Sequence, residues 1–193
     1  MKYRITSGTK VVDNITLHRI ECVTAFGGVE CGAKGGWIES EKNLSQYGDA
    51  RVSGNAIVRE NAIVRGNATV SENAIVSGNA IVSGNAIVSG NAIVSGNAIV
   101  RGNAAVGGDA IVRGEKDYIV FKNWWSSGRY FTWTRSNNKW QVGCFHGTGE
   151  ELVAKAYKDS EKSGREYERV VKYVNDILKE EDNDNGNRNK CEG

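Results

Sequence analysis

"GNAIVSGNAIVSGNAIVSGNAIV", residues 78–100, repeats one hexad almost without substitution, and its reading decides the fold. Apolar residues spaced two and then four apart do not hold one face of a 3.6-residue helix. Six residues suit one short strand and one turn. Stacking such units buries a continuous core that no single unit can bury, with backbone hydrogen bonds running between layers about 4.8 Å apart.

Working outward, eleven hexads run without insertion over residues 48–113, in the pattern Gly/Glu, Asn/Asp, Ala, any residue, Val, Ser/Arg/Gly. This pattern resembles the hexapeptide-repeat, left-handed parallel β-helix family, in which three hexads make one triangular coil. The resemblance implies a mainly β chain in which residues 18 apart stack, with Ala and Val inside and the residue between them outside. One outer face then carries Ile57, Ile75, Ile93 and Ile111, a second carries Ile63, Ile81 and Ile99, and a third carries Arg51, Thr69, Ile87 and Ala105. Two isoleucine ladders on the outside point to a buried interface, so self-association is expected, as a trimer by the resemblance. At the corners, Gly-Asn pairs suit positive φ. The stacked asparagines could form amide ladders, although turn chemistry alone accounts for them. Arg59, Arg65, Arg101 and Arg113 read as solvated corner charges.

A net charge of +2 gives no strong pull toward nucleic acid or membrane, and 24 glycines with no proline fit a chain that turns on glycine. No apolar run approaches a membrane span and no leader follows Met1, so the expected setting is the cytoplasm. Cys22, Cys31, Cys144 and Cys191 form no CxxC pair, which argues against a disulfide framework or a zinc knuckle; no metal or cofactor is expected.

Residues 1–47 read as a β cap, with "KVVDNITL" turning at Asp13-Asn14. The solenoid spans 48–114. Residues 115–181 read as a small α+β domain: strands at "DYIVF", "RYFTWT" and "KWQVGCF", then two helices opened by capping boxes at Thr148/Glu151 and Ser163/Glu166. The polar tail, 182–193, is expected to be unfolded.

Residues 116–148 hold five Lys/Arg against one Asp, with four tryptophans. Basic groups interleaved with aromatics suit stacking on bases or nucleotides. The candidate recognition residues are Trp124, Trp125, Arg129, Arg135, Lys139 and His146. Loops at Ser126–Arg129 and Gly147–Gly149 could offer backbone amides to a phosphate, although glycine and serine mark ordinary turns more often. Cys144 and His146 lack a third orienting group or ligand, so neither a nucleophile nor a metal site is expected there.

Many hexapeptide-repeat proteins are acyltransferases, with a histidine beside the coils as general base and acyl-CoA in a groove between prisms. Residues 48–113 contain no histidine, which departs from that pattern. The stretch "GGWIESEKNLS" running into "GDARVSGNAIV" looks like hexapeptide-repeat proteins carried by phages and prophages and labelled polymer-forming or transferase-like. The expectation is a non-enzymatic binding protein: a rigid oligomer that presents its C-terminal domain to a host protein or nucleotide signal. Acyl transfer and nucleic-acid binding are the alternatives.

Overall fold

The computed structural model describes residues 1–191, with side chains placed through Glu181. β1 (Tyr3–Val12) and β2 (Ile15–Cys22) form the expected hairpin, turning at Asp13 and Asn14 with φ of 50° and 63°. β3 (Lys34–Ile38) runs antiparallel to β2 and pairs in parallel with the solenoid, Trp37 lying opposite Ile57.

The repeats form eleven two-residue strands, β4 (Arg51–Val52) to β14 (Ile111–Val112). Pairing is parallel with an 18-residue register: Ile57, Ile75, Ile93 and Ile111 stand over one another, as do Ile63, Ile81 and Ile99, and Arg51, Thr69, Ile87 and Ala105. The inward Ala of every hexad, from Ala50 to Ala110 at six-residue spacing, is fully buried, and the alternating Val52–Val112 series is at most 2 % exposed. The three-face map is therefore borne out, and the fold is a mainly β solenoid.

Corners turn in left-handed conformations. At Gly84, with φ 69°, a Cβ would also meet Gly102 N at 2.9 Å, so glycine is required twice over. Glu60 and Glu72 adopt the same turn with side chains, at φ of 58° and 61°. Their carboxylates accept hydrogen bonds from Gly78 N at 2.5 Å and Gly90 N at 2.7 Å, one coil above. The asparagines do more than turn the chain. Asn55 donates to Asn73 and Asn73 to Asn91, and matching ladders run from Asn61 through Asn79 to Asn97 and from Asn67 through Asn85 to Asn103. Identical side chains in exact layers bring each amide within reach of the next. Arg59 also departs from a solvated corner charge, because it pairs with Asp13 of the hairpin turn at 2.8 Å.

Parallel stacking gives the solenoid a polarity. In each coil the outward residue donates its N–H to the coil above, as in Ile57 N to Ala74 O. The lowest coil is left with carbonyls and the highest with N–H groups, and the two ends are closed by opposite chemistry. Below, Lys2 Nζ donates to Ala50 O at 2.7 Å and Gly48 O at 3.3 Å, and Asn43 Nδ2 to Ala62 O and Glu60 O. Above, Thr132 Oγ1 accepts from Ala105 N, Ser136 Oγ from Ile111 N and Asp117 Oδ2 from Arg113 N, each at 2.7–2.8 Å.

These acceptors sit on or beside a separate antiparallel sheet beyond the three solenoid faces: β15 (Tyr118–Lys122), β16 (Tyr130–Thr134), β17 (Lys139–Val142) and β18 (Phe145–Gly147), in that order. The expected strand "KWQVGCF" is broken at Gly143, φ 58°. Alternation along β16 holds: Phe131 and Trp133 are buried, Phe131 packing against Phe121 and Trp140, while Thr132 turns to the solenoid end. α1 (Gly149–Asp159) opens on the expected Thr148/Glu151 capping box. α2 (Glu161–Cys191) opens earlier than expected, because Ser160 Oγ, not Ser163, accepts from Ser163 N. Helical backbone continues to Cys191 across the segment whose composition suggested an unfolded tail; its last two residues lie outside the described ones.

Compact packing divides the chain elsewhere than composition does. One unit is Met1–Asn123 with Arg129–His146, so the C-terminal strands cluster with the solenoid; the other is Trp124–Gly128 with the helices from Gly147 onward. The reason is the uncovered N–H groups of the top coil, which the strands satisfy. No helix among the described residues is long and apolar enough to cross a membrane.

Candidate functional site

The six candidate recognition residues fall into both compact units. Trp124 is 75 % exposed, whereas Trp125 is half-buried with its ring edge-on to Tyr167 at 5.1 Å. In the other unit, Arg135 donates from Nε to Lys116 O at 3.1 Å and lies 5.6 Å from the Trp133 ring, which fixes it to the β16–β17 turn. Lys139 opens β17 opposite Thr134. Arg129 precedes β16 and lines a groove on the third solenoid face.

His146 is brought where the sequence alone did not put it. Its ring lies over Gly108, a corner of the highest coil, where a Cβ would approach Nε2 to 2.6 Å. The next corner residue, Asp109, accepts from Asn137 Nδ2 at 3.2 Å. That hydrogen bond holds the Asp109 carboxyl below its usual range, with His146 and Lys139 adding smaller effects in the same direction. A histidine thus stands beside the coils although residues 48–113 contain none. Fold-back of β18 is responsible, and repeat spacing carries no trace of it.

The Cys144–His146 pair does not share a strand face: Cys144 sits in the turn before β18. No group of three or more metal-binding side chains occurs among the described residues. The α1 N-terminus is occupied by its own chain, Glu151 N donating to Thr148 Oγ1 and Thr148 N to Glu151 Oε2.

The isoleucine ladders lie outward, but unevenly. Ile63 is 37 % exposed, Ile75, Ile81, Ile93, Ile99 and Ile111 are half-buried, and Ile57, beside Trp37 in its ladder, is only 8 % exposed. Ile57 therefore offers little to a partner. Trp37 ends that ladder under two cations, Lys10 Nζ at 4.6 Å and Arg19 at 5.0 Å from its ring centroid.

Fold and surfaces together define a β-solenoid repeat protein. A family model described as YdcK Beta solenoid repeat matches residues 47–60, 50–66, 74–90 and 88–102, so the chain is similar to that family within the solenoid. No curated protein matches the chain.

Proposed function

We propose that the protein is a non-enzymatic, self-associating scaffold. The supporting observation is the pair of outward isoleucine ladders, held in register by strand pairing on two solenoid faces. Contiguous apolar surface of this kind on a rigid body favours burial against a second copy, and the resemblance points to a left-handed prism and a trimer. Assembly would present several copies of Trp124, Trp125, Arg129, Arg135, Lys139 and His146 to a partner. The partner class is a host protein or nucleotide signal met by a phage-encoded chain in the cytoplasm. Light scattering on the full chain tests the assembly: an oligomer is expected, reduced to monomer by Ile81→Lys or Ile93→Lys. A monomeric wild type at micromolar concentration overturns the reading.

Acyl transfer is a second reading favoured by one observation, the placement of His146 against the highest coil. Calorimetry with CoA separates the two, since saturable heat would support transfer and its absence the scaffold.

A further inference from the structure

The third solenoid face departs from the repeat at its upper end. Ala105 stands above Ile87 in the outward ladder, and Gly107 takes the place that Ser89 holds one coil below. Both substitutions remove side-chain volume at one spot, beside the strands that close the solenoid. A groove of about 390 Å³ results, floored by Ile87 and Ala105 and walled by Arg129, Tyr130 and Gln141. All of it lies within one compact unit. Its volume falls within the range of small-molecule sites, about 300–1,000 Å³.

Its chemistry is specific in three respects. Among the described residues the lining includes an arginine and no carboxylate, and Lys122 Nζ lies 5.6 Å from the Tyr130 ring, so the local charge favours an anion. Ile87 and Tyr130 are 46 % and 41 % exposed, leaving an aliphatic and an aromatic surface open to a flat apolar body. Asn103 ends its amide ladder, accepting from Asn85 at 3.2 Å, and its Nδ2 has no acceptor among the described residues. Gln141 donates from Nε2 to Gly143 O at 2.8 Å, which leaves Oε1 as an acceptor. One donor and one acceptor at the rim match the polar edge of a base.

We propose that this groove binds a small anion with a planar body, of the nucleoside monophosphate class. The base lies against Ile87 and Tyr130, Asn103 and Gln141 meet its edge, and Arg129 meets the phosphate. The inference goes beyond the scaffold reading and stands whether or not the chain self-associates.

Calorimetry on the full chain tests it, with AMP, GMP, CMP and UMP as probes and adenosine, guanosine and inorganic phosphate as separate arms. At least one nucleotide is expected to bind, with its nucleoside and phosphate each weaker by about tenfold or more. Arg129→Ala should weaken the nucleotide and leave the nucleoside unchanged. Ala105→Ile, which carries the repeat's usual outward residue into the groove, should abolish binding while the thermal transition is retained. If that variant does not fold, Tyr130→Ala, at an exposed strand end, should weaken nucleotide and nucleoside alike. The proposal is overturned if no nucleotide binds at millimolar concentration, if phosphate alone binds as tightly, or if binding survives these substitutions.

Discussion

Glu60 turns a corner at φ 58°, a conformation that costs an L-residue about 1–2 kcal/mol, and offsets part of that through its bond to Gly78 N. Glu60→Ala keeps the strain and loses the bond, so denaturant unfolding should show a loss of about 1 kcal/mol. Glu60→Gly loses the bond but also the strain, and should be close to neutral. A second residue-scale consequence concerns Tyr3, whose hydroxyl donates to Leu44 O at 2.6 Å beneath the cap. Burial, then the neighbouring Glu41, raises its pKa far above the ordinary value. The folded state therefore keeps a proton that the unfolded chain releases near pH 10, and the associated stability is present below that pH and is lost as pH rises toward the folded value. Burial raises Cys22 as well, which acts in the same direction, whereas burial lowers Lys2, whose contribution grows with pH. Tyr3 carries the largest displacement, so a net alkaline loss is expected. Comparing unfolding near pH 8 and near pH 11, Tyr3→Phe should show a smaller loss than wild type.

Elements are held in place by closing the solenoid's two ends. Thr132→Val is nearly isosteric, yet it removes the acceptor for Ala105 N at 2.8 Å in a fully buried position. A stranded N–H costs about 1–3 kcal/mol, and the melting temperature should fall accordingly. Polarity of a parallel stack follows from the hexad pattern, which demands donors below and acceptors above. Which residues answer that demand is not legible in the sequence, because Lys2, Asn43, Thr132 and Ser136 reach their partners across 17 to 48 positions. The Ser160 start of α2 was missed for a simpler reason: Ser160 and Ser163 both precede acceptable helix starts, and local pattern does not rank them.

At the scale of the whole molecule, stability resembles a one-dimensional sum of coil interfaces, so length and rotational phase can be varied separately. Residues 79–96 are three identical hexads. Their deletion removes one coil and leaves every remaining outward residue on its own face. Deletion of residues 85–90 alone also preserves the repeat, but it turns all later strands to the next face, placing Ala105 in the ladder of Ile63 and Ile81. Both variants should give cooperative circular-dichroism melts. On the assembly reading, the one-coil deletion keeps self-association in weakened form and the one-hexad deletion loses more of it, which light scattering would resolve.

The hexads by themselves determined the stack, its 18-residue register, the buried Ala/Val columns and the three outward faces, because a strict period leaves each residue only one place in a layered prism. Tertiary structure alone decided the C-terminal end. There, strands built from non-repeating sequence were recruited by unsatisfied N–H groups of the highest coil, which brought His146 to Gly108 and opened the groove above Ile87. Periodicity propagates order within the stack but carries no information about what covers its last layer.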